Sequence, residues 1–201
     1  MQYIKLNSLH YLGKIMESPL SEDDLFAFLA GLGIETETYR HAPVFTVEEA
    51  KAERAHMPAS GGHCKSLFVR DKKKRRALVM VDENRRVDLK ALSGALSMGR
   101  LSFGSADSLM DMLGVIPGSV TPFALINARV EDGQEPPMLV ALDAAMMAKS
   151  PLYYHPLHNA ATTAISPDDL VRFIRACGYE PVTVDLDAPE PVSKPASDAK
   201  P

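Results

Sequence analysis

The residue types best suited to chemistry are concentrated in one stretch, where a glycine pair precedes a lysine and a run of cations. Gly61-Gly62 is followed by His63-Cys64-Lys65-Ser66, and Lys72-Lys73-Lys74-Arg75-Arg76 comes a few residues later. A glycine pair allows the backbone to turn or to approach a ligand closely. Lys65 stands beside this loop at the start of an apolar strand, and the basic turn follows. The pattern predicts a site for an anionic ligand.

A second polar segment, 155–163, contains two histidines, an amide and two hydroxyls within nine residues. Its polar members are His155, His158, Asn159, Thr162 and Thr163. Polar groups at this density must be exposed, hydrogen-bonded to one another or gathered in a site, and we interpret them as part of a site. No carboxylate or thiol accompanies the histidines at ligand spacing, so the sequence predicts no metal there.

Two further features leave alternatives open. The segment Gly118-Ser119-Val120-Thr121-Pro122 is either a simple connector or a loop that presents backbone N–H groups and hydroxyls to an oxygen anion. The cationic run 72–76 is either a solvated hairpin tip or a contact for an anion. The residues alone do not decide between these interpretations.

The cysteine at position 64 raises the question of a cysteine nucleophile, because His63 precedes it. Adjacent residues of a strand point to opposite faces, so this pair is not expected to form a hydrogen-bonded dyad. We interpret Cys64 as a small buried apolar residue. Cys177 is far away in the sequence, and two unpaired thiols are typical of a reducing compartment.

The composition restricts the class of protein. With 201 residues, of which 46% are hydrophobic and 24% charged, the chain can bury one sizeable core and is expected to form one domain. Its formal net charge of −4 gives no support for nucleic-acid binding, so such binding would need a local basic patch. No apolar run approaches the roughly 20 residues of a membrane span, and the N-terminus lacks a signal-peptide pattern. We therefore expect a soluble cytoplasmic protein.

The order of the elements predicts the fold class. Capping boxes at Ser21, Thr46 and Ser166 predict helices that begin there. Several predicted strands alternate with short helices without a regular βαβ repeat, which favours one α/β or α+β domain with a mixed sheet. The strands are expected at 35–40, 66–69, 77–81, 101–103, 123–127, 138–142, 153–158, 162–165 and 181–186.

The ends of the chain differ from its middle in composition. Scattered apolar residues without a clean period predict an N-terminal extension at 1–19, followed by one domain at 20–186. The segment 187–201 is rich in Pro, Ala, Ser and Asp, which predicts a disordered tail.

Taken in order, three segments closely resemble a known family. They are Cys64 to Lys73, Gly114 to Phe123 and His155 to Thr163. Together they are similar to the free-standing relatives of the prolyl-tRNA synthetase editing domain, the YbaK/aminoacyl-tRNA deacylase superfamily, and within it to the ProXp-ala branch. The resemblance covers about 21–186. It implies a compact α/β domain with a mixed, largely antiparallel sheet surrounded by helices.

The resemblance also implies a function. It is that of a trans-editing enzyme that hydrolyses alanine wrongly attached to proline tRNA, with no metal or organic cofactor. Lys65 matches the family's functional lysine, Gly118 and Pro122 match its Gly-x-x-x-Pro loop, and His155 matches the histidine of its third motif. This chain departs from the family in having Ser66 where Asn is frequent, and in Asn159-Ala160-Ala161, which lacks one hydroxyl of the common Asn-Thr-Ala-Thr-Thr.

From these matches we expect direct attack by water on the aminoacyl ester. Lys65 would hold the terminal phosphate or ribose, N–H groups near Gly118 and Ser119 would stabilise the oxyanion, and His155 would bind the amino-acid end or shuttle a proton. Because alanine is smaller than proline, a small pocket can act as a second sieve. The expected substrate-binding residues are Ser66, Ser119, Pro122, Thr162, Thr163 and Phe45, and the expected tRNA contacts are Arg70, Lys72, Lys73 and Lys74.

The sequence leaves two other functions open. One is deacylation of a tRNA carrying serine, cysteine or another small amino acid, since the superfamily varies its pocket. The other is a tRNA-binding module without catalysis. The expected partners are mischarged tRNA and a prolyl-tRNA synthetase or elongation factor that hands it over, and the protein is expected to be a monomer.

Overall fold

The computed structural model describes residues 18–43, 58 and 60–187. Phe45, the capping box at Thr46 and most of the predicted N-terminal extension and tail lie outside the described residues. Within the described residues, every helix is too short or too polar to span a lipid bilayer.

The described residues form one eight-stranded sheet, in the order β1-β7-β6-β2-β3-β5-β8 with β4 paired to β2. Four of the seven pairings are antiparallel (β1/β7, β6/β7, β2/β3 and β2/β4), and three are parallel (β2/β6, β3/β5 and β5/β8). The predicted mixed sheet is confirmed. The strands are β1 Glu37–Arg40, β2 Gly62–Arg70, β3 Arg76–Asp82, β4 Ser102–Phe103, β5 Leu139–Asp143, β6 Leu152–Tyr154, β7 Ala161–Ile165 and β8 Val182–Val184.

Helices surround this sheet, and their starts follow the capping signals. The Ser21 hydroxyl accepts a hydrogen bond from the Asp24 N–H (3.2 Å), and the Ser166 hydroxyl accepts one from the Asp169 N–H (3.1 Å). These bonds satisfy amides that the first helical turn would otherwise leave without a partner. The helices are α1 Glu22–Gly31, α2 Leu89–Ala95, α3 Ala106–Leu113, α4 Ala144–Met147 and α5 Pro167–Ala176, with a 3₁₀ helix at Pro122–Ala128.

The two faces of the sheet bury separate hydrophobic clusters. One face packs against α1, α3, α5 and the 3₁₀ helix, and its core includes Phe68, Phe123 and Phe173; we name it the large-core face. The opposite face packs against α2 through residues such as Val69 and Leu92. Since successive strand residues point to opposite faces, β2 serves both clusters.

The prediction of a strand at 123–127 is wrong. These residues belong to the 3₁₀ helix, whose first residue is Pro122 and whose N-cap is Thr121; the Thr121 hydroxyl accepts from the Phe123 N–H at 3.3 Å. A short, wholly buried apolar run has no periodicity that separates a strand from a helix. Proline at the first helical position after a threonine was the signal for a helix start.

The strand predicted at 153–158 is also too long. β6 ends at Tyr154, and Pro156 and Leu157 belong to a turn in which Leu157 has φ 72°. A proline has no N–H to donate to a sheet ladder, which explains why pairing stops before it.

A buried carboxylate fixes the basic hairpin between β2 and β3. Asp71 accepts hydrogen bonds from the Arg75 N–H (3.0 Å), from Arg75 Nε (2.9 Å) and from the Gly99 N–H (3.2 Å). Burial disfavours the charged carboxylate, but these bonds outweigh it and hold the pKa of Asp71 below its ordinary value. Asp71 therefore joins the hairpin to the segment that follows α2.

We predict that Asp71→Asn lowers the free energy of unfolding near pH 7, because an amide cannot match the carboxylate as an acceptor. Since the folded-state pKa is depressed, the carboxylate's stabilisation is present above the ordinary Asp pKa of about 3.9 and is lost as the pH falls through the folded-state value. Urea denaturation of the wild-type protein and Asp71→Asn should therefore give a difference in the free energy of unfolding that shrinks as the pH falls below about 4. Asp111→Asn, at an exposed carboxylate on α3, is the control. Equal stability of the two variants at all pH values would contradict this role.

Candidate active site

A row of histidine and tyrosine side chains lies on the sheet face opposite the large core, at the β1-β7-β6-β2 end. Its members are Tyr39, His41, His63, Tyr153 and His155, and we name it the histidine face. The ring of His63 stacks on Tyr153 with centroids 4.7 Å apart, Tyr39 lies 6.3 Å from Tyr153, and His41 lies 6.1 Å from His155.

Lys65 belongs to the same face. In the parallel pair β2/β6, Gly62 is opposite Leu152 and His63 is opposite Tyr153. The same register continued by two residues puts Lys65 beside His155, and both keep the direction of the His63–Tyr153 pair because side chains alternate with a period of two. The register therefore places two of the residues that the sequence predicts to be catalytic on the same face of the sheet.

The backbone fixes the orientation of the His155 ring. His155 Nδ1 lies 2.8 Å from the carbonyl oxygen of Ala161. Because a carbonyl can only accept, Nδ1 donates, and a neutral ring then carries its lone pair on Nε2. His155 is thus arranged to use Nε2 as an acceptor.

A second histidine on this face is tied to the predicted residue Thr162. His41 Nδ1 donates to the carbonyl of Ala42 at 2.8 Å, so its Nε2 accepts from the Thr162 hydroxyl at 2.9 Å. Thr162 is 6% exposed and is paired with Tyr39 across β1/β7. Through His41, Thr162 is connected to the same group of side chains as His155.

Tyr39, His41 and Tyr153 are not among the residues that the sequence predicts for the site. The available signal was the period-two spacing of Tyr39 and His41 at the end of β1. A hydrogen bond with Glu37, together with burial, raises the pKa of Tyr39 to about 12, so its phenol stays protonated at neutral pH.

The half-buried Lys65 ammonium has a definite partner. Lys65 Nζ donates to the main-chain carbonyl oxygen of Arg85 at 2.6 Å. Lys65 is opposite Val81 in the β2/β3 ladder, and Arg85 follows the end of β3. The chain beyond β3 therefore turns back towards Lys65.

Two other predicted residues lie on the large-core face. Thr163 is fully buried, and its hydroxyl is 2.9 Å from that of Thr38. Ser66 follows Lys65 on β2 and points to the opposite face; its buried Oγ has no hydrogen-bond partner within the described part of the chain. The site residues predicted on the strands are thus divided between the two faces of the sheet, because adjacent residues of a strand point to opposite faces.

The predicted loop at 118–122 begins with a tight turn. The Ser119 N–H donates to the Ile116 carbonyl at 3.0 Å, and Gly118 has φ 92°, which is the conformation a turn needs at its third residue. A Cβ on Gly118 would meet nothing within 4 Å. The requirement for glycine therefore comes from the backbone conformation and not from a lack of space. Ser119 and Pro122 are buried, and among the described residues no hydrogen bond joins this turn to Lys65.

The exposed residues of the basic hairpin lie away from Lys65. Arg70, Lys72, Lys73 and Lys74 are exposed, whereas Arg75 is paired with the buried Asp71. Arg70 is five residues from Lys65 on β2, which is about 17 Å along an extended strand. The cations of the hairpin therefore do not contact the histidine face.

A matching family model and several relatives place these residues in context. The model described as "Aminoacyl-tRNA editing domain" matches residues 41–173, a range that contains Lys65, Gly118 and His155. Prolyl-tRNA synthetase associated domain-containing protein 1 of Bos taurus is 36% identical over 164 residues, covering 79% of this chain and 91% of that protein. Prolyl-tRNA editing protein ProX of Acetoanaerobium sticklandii is 32% identical over 163 residues, covering 81% and 95%.

A solved structure has the same fold. It is that of a candidate trans-editing enzyme for prolyl tRNA synthetase, with a TM-score of 0.60 and 19% sequence identity, and it covers 83% of this chain and 98% of that chain. At this identity the likeness concerns the arrangement of the sheet and helices. It agrees with the single α+β domain described above.

The cysteine next to Lys65 is poorly suited to nucleophilic attack. Burial raises the pKa of the Cys64 thiol to about 12, and its Sγ donates to the Gly62 carbonyl at 3.1 Å. Burial likewise raises the pKa of Cys177 to about 12. Within the described residues, no three His, Cys, Asp or Glu side chains are grouped so that they could hold a metal ion.

We predict that the native protein reacts with a disulfide reagent such as Ellman's reagent far more slowly than the urea-unfolded protein near pH 8. The thiolate is the reactive form, and raised pKa values keep both thiols protonated until the pH approaches about 12. The rate should rise with pH over the accessible range. A thiol that reacts rapidly in the native protein and is absent in Cys64→Ala would contradict this assignment.

Proposed function

The chain belongs to the aminoacyl-tRNA editing domain family, and we propose that it is a deacylase that hydrolyses the ester of alanine wrongly attached to proline tRNA. The single observation that carries the proposal is the β2/β6 register, which places Lys65 and His155 on one face of the sheet. The 32% identical relative named as a prolyl-tRNA editing protein supports proline tRNA as the substrate.

The proposed reaction is direct attack by water. An aminoacyl ester is already an activated acyl group, so the protein needs no nucleophile of its own. The raised pKa of Cys64 supports this, since a protonated thiol is a poor nucleophile. The ribose 2′-hydroxyl beside the ester assists in activating the water.

In the proposed complex, Lys65 holds the terminal phosphate or ribose of the tRNA. An ammonium group has three N–H donors, and the Arg85 carbonyl takes one of them. That contact holds the ammonium group on the β3 side of β2. A half-buried cation attracts an anion more strongly than an exposed one, because solvent screens it less.

His155 acts on the amino-acid end of the substrate or on the attacking water. Its Nδ1–H is held by Ala161, so Nε2 is the atom that accepts a proton or a hydrogen bond. The exposed Gly118 amide is the proposed oxyanion donor, since the neighbouring Ser119 N–H is already bonded to Ile116. Thr162 supports this side of the site through its bond to His41.

Selection of alanine over proline is a matter of size. A pocket that admits a methyl side chain and excludes a pyrrolidine ring removes alanine and spares the correctly charged tRNA, as the second sieve of an editing system does. Phe45, proposed as a wall of this pocket, lies outside the described residues. Ser66, Ser119, Pro122 and Thr163 stay proposed contributors to substrate binding, from the opposite face or from the buried part of the loop.

The basic hairpin is the proposed contact for the tRNA backbone. Arg70 lies about 17 Å along β2 from Lys65, which fits an acceptor end that reaches the ester site while its phosphates run past the hairpin. Lys72, Lys73 and Lys74 are exposed and available to phosphates. Mischarged tRNA is the proposed partner, delivered by a synthetase or an elongation factor.

We predict that Lys65→Ala reduces single-turnover hydrolysis of Ala-tRNA(Pro) by at least 100-fold while the fold is kept. The loss follows from removing the cation that positions the substrate end. Arg175→Ala, at an exposed cation paired with Glu180 on α5, is the control and should hydrolyse at the wild-type rate. A folded Lys65→Ala protein that hydrolyses at the same rate as wild type would contradict the role of Lys65.

The same assay with tRNAs charged with alanine, serine, cysteine and proline defines the substrate. Hydrolysis of Ala-tRNA(Pro) alone supports the proposal, and faster hydrolysis of a seryl or cysteinyl tRNA assigns the site to another small amino acid. Binding of tRNA without hydrolysis of any of them identifies a binding module instead.

A second prediction concerns salt. Replacing Lys72, Lys73 and Lys74 together by Ala should weaken tRNA binding and flatten the slope of log K against log salt concentration by about 2 to 3, given about 0.7–0.9 per phosphate contact. The charge-preserving triple change to Arg should keep the wild-type slope. An unchanged slope in the Ala variant would show that the hairpin is solvated and does not dock tRNA.

A further inference from the structure

The contact between Lys65 and Arg85 is part of a larger arrangement beyond the end of β3. Lys65 is paired with Val81 across β2/β3, and the β3/β5 register, continued by one residue beyond Met80 and Leu142, puts Val81 beside Asp143. Residues in one row across a sheet share a face. Lys65 and Asp143 are therefore two strands apart on the same face, about 10 Å from each other.

Arg85 bridges this row. Its main-chain carbonyl accepts from Lys65 Nζ at 2.6 Å, and its side chain extends to the other end, where Nε donates to Asp143 Oδ2 at 3.0 Å. The two terminal nitrogens of its guanidinium donate to the two carboxylate oxygens of Asp187, at 2.8 and 2.7 Å. A planar guanidinium held by two carboxylates has little freedom to rotate.

The backbone that carries the Arg85 carbonyl is also held by hydrogen bonds to Asp82. The Arg85 N–H donates to the Asp82 carbonyl at 3.1 Å, and the Asn84 N–H donates to Asp82 Oδ1 at 3.0 Å. The other carboxylate oxygen of Asp82 is bound by Lys149 Nζ. The turn 82–85 is thus fixed at its start by Asp82 and at its end by the Arg85 side chain.

The buried carboxylate of Asp143 depends on the positive charge of Arg85. Its side chain is 1% exposed, and Oδ1 has no hydrogen-bond partner among the residues that the structure describes. A buried carboxylate needs a cation or donors to remain ionised. The Arg85 side chain, itself 17% exposed, supplies that charge.

We propose that Arg85 is a positioning residue for Lys65, held in place by the carboxylates of Asp143 and Asp187. This inference rests on the proposed function, because Lys65 is taken to act on the tRNA end. The carbonyl of Arg85 sets the direction of the Lys65 ammonium, and the two carboxylates set the position of that carbonyl. Misplacement of a catalytic group by about 1 Å can cost on the order of 100-fold in rate.

The variants separate positioning from folding. Arg85→Ala removes the side chain but leaves Asp143 buried alone and could unfold the protein. Arg85→Met with Asp143→Leu removes both charges, so that no buried carboxylate is left unpaired. Asp187→Asn weakens the exposed side of the arrangement only, and Glu180→Gln, at the exposed pair with Arg175, is its matched control.

The first measurement is single-turnover hydrolysis of Ala-tRNA(Pro) alongside binding of uncharged tRNA. We expect the rate constant to fall on the order of 10- to 100-fold in Arg85→Met/Asp143→Leu and severalfold in Asp187→Asn, with tRNA affinity within twofold of wild type. Arg85→Lys should recover part of the rate, since a lysine can still reach one carboxylate. Folded variants that hydrolyse at the wild-type rate would overturn the inference.

The second measurement does not depend on activity. In ¹⁵N-labelled protein, the ammonium signal of Lys65, assigned by its loss in Lys65→Arg, should be visible because a hydrogen bond slows its exchange with water. It should disappear or shift in Arg85→Met/Asp143→Leu and persist in Glu180→Gln. An unchanged signal would overturn the inference, whereas absent hydrolysis in the wild-type protein with this signal pattern intact would overturn the proposed deacylase function alone.

Discussion

The alternation of side chains along β2 is the constraint on which the candidate site depends. β2 pairs with β3, β4 and β6, and it contributes Phe68 to the large core and Val69 to the smaller cluster. These two residues fix the register, because a slip by one position would exchange the faces and turn Phe68 away from the large core. The same register directs Lys65 to the histidine face and Ser66 away from it.

A lysine on a half-buried strand position requires polar surroundings. Here several distant segments supply them: His155 directly follows β6, Thr162 lies on β7, and the turn after β3 provides the Arg85 carbonyl. Lys65 and His155 are each bound by a main-chain carbonyl, and Thr162 is bound by the ring of His41. The site is therefore built on strands of the sheet and on the residues directly beyond their ends, which sets a small number of polar groups in a defined relation to one another.

Local signals in the sequence predict the helices and strands well, and they predict the long-range side-chain contacts between these elements less well. The helix starts at Ser21 and Ser166 follow from short-range hydrogen bonds, and the mixed sheet follows from the order of the elements. The 3₁₀ helix after Thr121 was mistaken for a strand because both bury the same apolar run. Arg85 gave no signal, since its partners Asp143 and Asp187 are 58 and 102 residues away in the sequence.

The central claim is that the aminoacyl end of the substrate binds on the histidine face. It is tested by NMR titration of the ¹⁵N- and ¹³C-labelled protein with a non-hydrolysable amide analogue of 3′-alanyl-adenosine. We expect shift changes at Lys65, His63 and His155, which saturate together. Changes confined to the large-core face, at residues such as Thr38 and Thr163, would contradict it.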